Sequence, residues 1–578
     1  MVTSNSNSVS LPKANPVIIT WESLTVTAKR TKRLLLDKVT GIALPGQLIA
    51  LMGASGAGKT TLLNALLHRN VKGLEIDGTV KVNGHIVSAY IQQQNLFINS
   101  LTVQEHLYLQ AALRLPSSYS SHEKSLRVKQ VISDLELENC VNSRIGQSGN
   151  GQGVTSGEAK RLAFASEILT NPSLLFADEP TTGIDSFMAY HVVKVLERMA
   201  SENGKTIICT IHQPASDTFE LFDRVLFLAN GKTAFLGSPA EAVRFYAEVG
   251  YPIPAHTNPA DFFIQTLAIV PGDEDKCTLR ANEIVEKATA IDEKKNLNLK
   301  LFISSKYHAK LCDEMKRVKE GGHAELVEHG KVSLTTLTYA LFLRSFKDNI
   351  RNPSLLQAKL IQKFVMGLFL GTLYLQTKKN QEGIIDIKGA LFYYISELTY
   401  STVFGIQTFL PADFPLLVKE YHDGIYPVVC YYLSKIFSYL PIFTIDGFCM
   451  VCISYYLIGF YPDIVTFLIT LLTCMLIEWS AASIGIMLSS VSPSYAIAIS
   501  VSGPLLTVFS ITGGLYTNIA TIPETQAAYC EGNGETVIRN LNFNENNMYM
   551  NLGSMLFYIL SVFIVGYIGL VLRVQLER

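Results

Sequence analysis

The sequence predicts an α/β domain at the front of the chain and an all-α membrane domain behind it. Three observations support this prediction. A glycine-rich motif, Gly53–Thr60, lies between a predicted strand and a predicted helix. From residue 17 to residue 270, apolar strand-like runs alternate with helical stretches and glycine-containing turns, as in α/β domains. Six apolar stretches follow, each long enough to cross a bilayer, which takes roughly 20 residues.

The composition also separates the chain into two parts. It has 578 residues, 48% of them hydrophobic, and a net charge of -1. Charged residues are frequent up to about Lys347 and sparse after Lys388. Because no basic field is present, we expect no nucleic-acid partner. The polar start of the chain, Met1–Ser10, lacks the apolar run of a signal peptide, so the front domain is expected to remain in the cytosol.

The predicted boundaries follow from these patterns. Residues 1–16 are expected to be disordered, 17–270 to form the α/β domain, 271–332 to be a charged and partly helical linker, and 333–578 to form the membrane domain. The six predicted spans are residues 355–376, 390–410, 432–459, 464–488, 495–516 and 552–574.

The glycine-rich motif predicts a nucleotide site. The run Gly53, Ala54, Ser55, Gly56, Ala57, Gly58, Lys59, Thr60 fits the phosphate-loop pattern G-x-x-x-x-G-K-[ST] without a mismatch, and Thr61 follows it in the predicted site. The glycines let backbone N–H groups point at phosphate oxygens. Lys59 is expected to reach the β and γ phosphates of ATP, and Thr60 to bind Mg²⁺.

Two acids follow a predicted buried strand, Leu174–Ala177. Asp178 suits a Mg²⁺ ligand acting through water, and Glu179 suits a general base for the attacking water. An acidic pair at such a position is, by itself, more often a helix cap. The surrounding motifs favour the catalytic interpretation.

Two further polar residues complete the predicted catalytic set. His212 follows the predicted strand Thr206–Thr210 and is expected to sense the γ phosphate. Gln93 follows Tyr90-Ile91 and is expected to contact Mg²⁺ and report the nucleotide state.

These motifs, in this order, resemble the ATPase domain of ABC transporters. An ATPase domain placed before six spans, with Asn258–Phe263 just after it, resembles the G subfamily of half-transporters. Within that subfamily, the chain looks most like the insect eye-pigment group, White, Brown and Scarlet; the runs that carry this likeness are Phe164–Leu169, Leu221–Arg224 and Phe235–Pro239.

The resemblance implies an α/β P-loop ATPase of the ABC nucleotide-binding type, coupled to transport, that works as one half of a dimer. It places Asp185 near the nucleotide. It also implies that each subunit presents a signature loop to the ATP of the other, here Thr155, Ser156, Gly157 and Glu158.

The signature loop departs from the family pattern of Ser-Gly-Gly, because Ser156 stands at the first glycine. A Cβ there can block close backbone approach or forbid a positive φ. One interpretation is a tolerated substitution. The other is a heterodimer, in which the intact Lys59 and Glu179 of this chain meet a normal loop from a second half-transporter subunit, with a homodimer as the alternative. A weakly hydrolysing regulatory subunit is a further alternative.

The outer loop after the fifth span is shorter than in the family. Only a short run separates Asn518 from Cys530, and a shortened isoform, a faulty gene model and a reduced lid all remain open. Cys530 is expected outside the cytosol, either as a free thiol or in a disulfide between subunits.

Three acids lie within predicted spans: Glu397, Asp446 and Glu478. Ionisable groups at bilayer depth tend to face the bundle interior or a cavity. By resemblance, Glu397 and Tyr400 match positions that line the substrate cleft between subunits. An aromatic ring beside an acid suits a planar amphipathic substrate, such as a tryptophan or guanine derivative or a related amine. Export of a sterol or another lipid is the alternative. Asp446 and Glu478 are expected nearer to the span ends.

The loop between the second and third spans contains Glu420. The resemblance implies that this residue takes part in coupling to the ATPase domain, and Arg344 and Lys347 are its expected neighbours. A solvated charge cluster is the alternative.

Basic residues place both ends of the membrane domain in the cytosol. Those expected before the first span are Arg344, Lys347, Arg351, Lys359 and Lys363. Lys378, Lys379 and Lys388 lie in the predicted outer loop and mildly favour the opposite orientation. The ATP-binding front domain decides between the two orientations, because ATP is cytosolic. The protein is therefore expected to be multi-pass, in the plasma membrane or a vesicle membrane.

Overall fold

The computed structural model describes residues 16–69, 71, 73–83, 88–93, 96–146, 153–268, 274–289, 310–311, 313–315, 332–352, 356–378, 381–512 and 547–576. The chain divides into two compact units at Val332/Ser333. The expected disorder of the first residues and the predictions for the outer loop, including Cys530, fall outside the described residues.

The front unit contains two sheets and a set of helices. Its strands are β1 (Ile19–Ala28), β2 (Leu34–Ala43), β3 (Leu48–Met52), β4 (Leu74–Val82), β5 (Ser88–Ile91), β6 (Leu174–Ala177), β7 (Thr206–Thr210), β8 (Arg224–Ala229) and β9 (Lys232–Gly237). Its helices are α1 (Lys59–Leu67), α2 (Val103–Arg114), α3 (Ser121–Asp134), α4 (Ser156–Ile168), α5 (Ser186–Asn203), α6 (Ser216–Phe219), α7 (Pro239–Val249), α8 (Pro259–Leu267) and α9 (Glu274–Thr289).

The larger sheet has the order β5-β6-β7-β3-β8-β9, and the smaller has the order β2-β1-β4. In the larger sheet β5, β6, β7, β3 and β8 are parallel, and only β9 runs antiparallel. Strands β3, β6 and β7 are fully buried, as expected for strands covered on both faces; β3 and β6 are apolar throughout, and β7 is apolar between two threonines. Their carboxyl ends meet at one edge, which brings the loops that follow them together.

Several helices of the front unit begin with a capping box, in which a serine or threonine side chain accepts an N–H three residues on while a glutamate bonds back. The capping residues are Thr102 before α2, Ser120 before α3, Thr155 before α4 and Ser238 before α7. Each box satisfies two backbone donors that the helix itself leaves open. The start of α4 is therefore fixed at the predicted signature loop.

The rear unit is helical. Its helices are α10 (Leu334–Arg351), α11 (Leu356–Leu373), α12 (Gln381–Phe409), α13 (Phe414–His422), α14 (Val428–Ile458), α15 (Ile464–Val491), α16 (Tyr495–Thr512) and α17 (Met548–Leu576). Helix α14 packs against α10, α11 and α15, while α15 also packs against α12 and α17.

Four stretches of the described rear unit are helical, long and apolar enough to cross a membrane: Gly383–His422, Val428–Ile458, Ile464–Val491 and Met548–Leu576. A shorter apolar helix covers Tyr495–Ile511. The helix at the predicted first span, α11, contains two lysines.

Those two lysines require a correction. Lys359 and Lys363 were expected among the basic residues that flank the first span, but both lie within α11 and are only 8% and 0% exposed. They face other helices, so they cannot serve as flanking charges for the orientation argument. Arg344, Lys347 and Arg351 on α10 do precede α11.

Candidate functional site

The phosphate loop lies between β3 and α1, as predicted. Gly53, Gly56 and Gly58 all have positive φ values, of 152°, 78° and 102°. A Cβ added at Gly53 would overlap the Leu228 carbonyl oxygen, whereas one at Gly56 would meet nothing within 4 Å. Gly58 is needed for its left-handed backbone at the start of α1. The loop is therefore held on one side and open at Gly56, where phosphate oxygens would approach.

Lys59 is folded back over this loop. Its Nζ donates to the carbonyl oxygens of Gly53 and Ala54, at 2.8 and 3.1 Å, and the residue is 8% exposed. Burial lowers the pKa of Lys59, while the carboxylates of Glu179 and Asp178 oppose that shift. A phosphate group would supply the negative charge that favours the ammonium form.

Three hydroxyl groups surround the carboxylate of Asp178, just after β6. The Thr210 hydroxyl donates to Oδ1 at 2.6 Å, the Thr60 hydroxyl approaches the same oxygen at 3.5 Å, and the Tyr90 hydroxyl approaches Oδ2 at 3.4 Å. Asp178 is 6% exposed. The carboxylate is thus held in one orientation beside Thr60, which is the pair expected to bind Mg²⁺.

Glu179 occupies an unusual backbone position. Its φ is 47°, in the left-handed region that side chains seldom adopt. Its N–H donates to the Thr210 hydroxyl at 2.7 Å, and its Oε2 accepts from Thr182 at 2.9 Å. Local strain of this kind tends to be kept at functional sites. The contacts fix where the carboxylate of the predicted general base points.

Gln93 and Glu179 are joined directly, because Gln93 Nε2 donates to Glu179 Oε2 at 2.7 Å. The backbone carbonyl of Gln93 also accepts a hydrogen bond from Nζ of Lys160 on α4. Gln93 therefore links the predicted base to the helix that carries the signature loop. To bind Mg²⁺, its side-chain oxygen has to turn toward Thr60 and Asp178.

The signature loop keeps its local geometry despite the serine. Thr155 caps α4: its hydroxyl accepts the Glu158 N–H at 3.3 Å, and its own N–H donates to the Glu158 carboxylate at 2.8 Å. Ser156 is exposed and is the first residue of α4, with a negative φ. Of the two effects expected of its Cβ, a conflict with a positive φ is therefore wrong, and a block to close backbone approach stays a prediction. A Cβ at Gly157 would come within 2.8 Å of Met188 Cε, so the end of the Met188 side chain would have to move.

Two other predicted residues make only local contacts in the structure. The Asp185 side chain caps α5 by accepting the Met188 N–H at 3.0 Å. His212 follows β7 with its side chain exposed. Their expected contacts with the nucleotide stay predictions.

The chemistry of this edge fits ATP with Mg²⁺. Thr60 and Asp178 supply two oxygens 3.5 Å apart, and hydroxyl and carboxylate oxygens are ligands of the kind that Mg²⁺ prefers, so these two residues would hold the ion. Lys59 and the open backbone at Gly56 would face phosphate oxygens, and Glu179 would face the attacking water.

Residues Thr210, Tyr90, Thr182 and Lys160 belong to the site but were not identified from the sequence. Thr210 can be recognised from the strand register rather than from a local sequence motif. It ends β7, which pairs in parallel with β6 so that Cys209 stands opposite Ala177. The residues after these two, Thr210 and Asp178, are therefore neighbours.

In the rear unit, Glu420 is buried rather than solvated, so the alternative of a solvated cluster is wrong. Both of its carboxylate oxygens accept from Arg344 Nη1, at 2.7 and 2.9 Å, and the Tyr426 hydroxyl also donates to it. Arg344 is 4% exposed and Glu420 is 2% exposed. The pair ties α13 to α10.

Glu397 and Tyr400 are both partly exposed on α12 but have different neighbours. Glu397 Oε1 accepts from Gln362 at 3.3 Å and lies 3.4 Å from Lys363 Nζ. The Tyr400 hydroxyl lies 3.3 Å from the Ser510 hydroxyl on α16. Glu397 therefore already has a cationic partner on α11, and only part of its carboxylate remains for a ligand.

The chain matches family models along most of its length. A model described as "ABC transporter" matches residues 36–182, and two described as "ABC-2 type transporter" match residues 336–530 and 212–285.

Three relatives illustrate the similarity. The chain is 38% identical to the ABC transporter ATP-binding protein/permease wht-3 of Caenorhabditis elegans, over 97% of this chain and 95% of the relative. It is 34% identical to Protein white of Drosophila melanogaster, over 94% of this chain and 83% of that relative. It is 32% identical to the broad substrate specificity ATP-binding cassette transporter ABCG2 of Bos taurus, over 86% of this chain and 77% of that relative.

Proposed function

Since the chain belongs to the ABC transporter family, as a White-type half-transporter that hydrolyses ATP to transport a substrate across a membrane, we propose that it moves a small, planar, amphipathic organic molecule as one half of a dimer. A tryptophan- or guanine-derived pigment precursor or a related amine has this character. The observation that carries the substrate proposal is the partly exposed pair of Glu397 and Tyr400 on α12.

For hydrolysis, Mg²⁺ would be held by Thr60 and by Asp178, with Gln93 joining after it leaves Glu179. The metal ion would neutralise charge that develops on the transferred phosphate. Lys59 would leave its two carbonyl acceptors for the β and γ phosphates. Glu179 would orient and deprotonate the attacking water, with its backbone held by Thr210. His212 would contact the γ phosphate.

We favour a heterodimer. Ser156 is exposed at the N-terminal end of α4, where the family's signature loop meets the partner's nucleotide. Its hydroxymethyl group adds bulk where a glycine would let phosphate oxygens approach the backbone N–H groups. A second half-transporter subunit with an unaltered loop would complete the site built by Lys59 and Glu179 of this chain.

Coupling between ATP and substrate would involve Glu420 and its partner Arg344. ATP would close the two nucleotide-binding domains, the closure would pass through helix α13, and a cleft between subunits would open to the other side. Hydrolysis would reset the cycle. The nucleotide-binding domain and both termini would lie in the cytosol, with the membrane either the plasma membrane or that of a vesicle.

Transport by the purified chain, alone and co-expressed with candidate half-transporter subunits, tests this function. Sealed vesicles containing the protein should accumulate a radiolabelled aromatic amine only with ATP and Mg²⁺. The Glu179→Gln variant should bind ATP but accumulate none. Accumulation that persists in Glu179→Gln, or uptake of a sterol in preference to every aromatic amine, would contradict the proposal.

A further inference from the structure

Five ionisable side chains from four helices lie near one another inside the rear unit: Lys359 and Lys363 on α11, Glu397 on α12, Asp446 on α14 and Glu478 on α15. All except Glu397 are less than one-tenth exposed, and the Glu397 side chain is 15% exposed. Asp446 and Glu478 were expected nearer to the span ends, but both lie deep within long apolar helices. Ionisable groups at this depth are costly, so they require a structural or functional reason.

The two lysines are already bonded. Lys363 Nζ donates to the Glu397 carbonyl oxygen at 3.2 Å and lies 3.4 Å from the Glu397 carboxylate. Lys359 Nζ donates to the Ser401 hydroxyl at 2.9 Å and to the Ser401 carbonyl, and it lies 5.3 Å from the centre of the Phe443 ring. Both ammonium groups therefore donate their hydrogen bonds to α12, although they are near enough to Asp446 and Glu478 to attract the two carboxylates.

The carboxylates of Asp446 and Glu478 have no such contacts. Among the described residues, none of their four oxygens has a side-chain hydrogen-bond partner, although the residues are only 1% and 0% exposed. The polar group against them is the backbone of Gly447, which faces the Glu478 carboxylate. A buried carboxylate without hydrogen bonds or a paired cation is strongly disfavoured in its ionised form. Two neighbouring carboxylates disfavour each other's ionisation further.

The backbone makes room for these side chains. A Cβ at Gly447 would overlap the Glu478 carboxylate, and a Cβ at Gly405 would lie within 2.7 Å of Lys359 Nζ. Helix α14 therefore has a glycine where it faces Glu478, and helix α12 has a glycine where it faces Lys359. The cluster occupies space that ordinary residues would fill.

Other titratable groups around the pair add no charge that would balance it. The thiols of Cys449 and Cys474 are near Asp446 and Glu478, and Tyr393 is near Glu397; all three are neutral near pH 7. The cations on other packed helices are bonded elsewhere: Arg344 to Glu420, Lys435 to Asp413 and Arg573 to carbonyls at the end of α15.

The balance of charges in the cluster determines how many of its carboxylates are protonated. Three carboxylates and two ammonium groups carry a net charge of 2 − 3 = −1 when all are ionised. One proton neutralises the cluster, and the carboxylates without partners are where it would reside. We propose that Asp446 and Glu478 form an intramembrane proton-binding site and share one proton at neutral pH. The pair would titrate as a unit rather than as two separate acids.

Infrared spectroscopy of the full chain, purified in a detergent without ester groups, tests this site. A protonated carboxyl group absorbs apart from carboxylates, and its band shifts in D₂O. The wild type should show such a band at neutral pH. Both Asp446→Asn and Glu478→Gln should lose it completely, because each leaves two carboxylates for two ammonium groups. Asp386→Asn, which removes an exposed acid of α12, is the matched control and should keep the band.

Each other outcome overturns the proposal. Equal spectra for the wild type and the Asp446→Asn/Glu478→Gln double variant would show that the site holds no proton. A half-sized band in each single variant would show two independently protonated acids. Lys363→Met gives a second test should the acid variants fail to fold: it leaves one ammonium group for three carboxylates, so the band should grow. A band that does not grow would contradict the charge balance.

Discussion

The hydroxyl of Thr210 donates to Asp178 at 2.6 Å while it accepts the N–H of Glu179 at 2.7 Å. One side chain at the end of β7 therefore positions both acids that follow β6. It touches neither the expected phosphates nor the attacking water, so we regard Thr210 as a positioning residue. The adjacent parallel strands β6 and β7 create this contact.

Replacing Thr210 with valine should slow hydrolysis. Losing a hydrogen bond to a charged group costs about 1.5–3 kcal/mol, so kcat should fall about tenfold or more. The Mg²⁺ concentration needed for half-maximal ATPase should rise, because Asp178 is freed. Thr210→Ser should restore both. Thr206→Val, at the opposite end of the same strand, is the control and should change stability but not the Mg²⁺ requirement. An unchanged Mg²⁺ requirement in Thr210→Val would contradict the positioning role.

Breaking the pair of Arg344 and Glu420 should destabilise the rear unit. Leaving one buried charge without its partner costs roughly 3–5 kcal/mol, so Glu420→Gln should lower the thermal unfolding midpoint measurably. The Arg344→Met/Glu420→Met double variant should recover much of this loss, because it removes both buried charges. Lys419→Met, beside Glu420 on α13, should have little effect. Equal midpoints for Glu420→Gln and Lys419→Met would show that the buried pair is not important for stability.

The buried Lys205 should make the stability of the front unit depend on pH. Burial, followed by the nearby charge of Arg127, lowers the pKa of Lys205 from 10.5 to about 7. Between these values the unfolded chain binds a proton that the folded chain does not. The free energy of unfolding should therefore rise with pH in this window, by up to about 1.4 kcal/mol per pH unit, and level off above it.

Thermal unfolding midpoints measured across that pH window, for the wild type and for Lys205→Met, give the test. The methionine variant should be more stable than the wild type near neutral pH, and the difference should shrink as pH rises. Lys194→Met removes an exposed lysine of α5 and should follow the wild type. A constant difference between wild type and Lys205→Met at all pH values would contradict the burial argument.

Glu397 should influence which substrates the transporter accepts. In Glu397→Gln, stimulation of ATPase by cationic aromatic amines should fall relative to stimulation by neutral aromatic compounds, each normalised to the basal rate of the same variant. The reason is the loss of a partly exposed negative charge three residues before the aromatic ring of Tyr400 on the same helix. Asp386→Asn is the matched control on the same helix. Identical preference profiles for Glu397→Gln and wild type would remove Glu397 from the substrate site.

Much of the front unit can be predicted from the sequence, for a physical reason. Strands β3 and β6 are uninterrupted apolar runs, and β7 has an apolar centre between two buried threonines. Buried parallel strands place the residues that follow them at one edge. The phosphate loop and the acids Asp178 and Glu179 were found in this way. Thr210 was missed because its role depends on the register between β6 and β7, which local patterns do not reveal.

The interior of the rear unit was harder to predict. In the sequence, Lys359 and Lys363 look like the basic residues that flank a membrane span. Only the packing of α11 against α12 shows that they are bonded to Ser401 and Glu397. Apolar spans are uniform in hydropathy, so the sequence does not show which face of each helix meets a neighbour. The backbone of Ser156 illustrates the same limit on a smaller scale, because its φ depends on the cap formed by Thr155.

We propose that Glu179 drives ATP hydrolysis at a site that a partner's signature loop completes, and that Ser156 weakens this loop when the chain pairs with itself. The decisive measurement is the ATPase rate of the purified chain without another subunit, compared among wild type, Ser156→Gly and Glu179→Gln. We expect a low rate for wild type and a rate at least several-fold higher for Ser156→Gly. We expect no hydrolysis by Glu179→Gln, nor by the Ser156→Gly/Glu179→Gln double variant. Equal rates for wild type and Ser156→Gly, or hydrolysis that survives Glu179→Gln, would contradict this proposal.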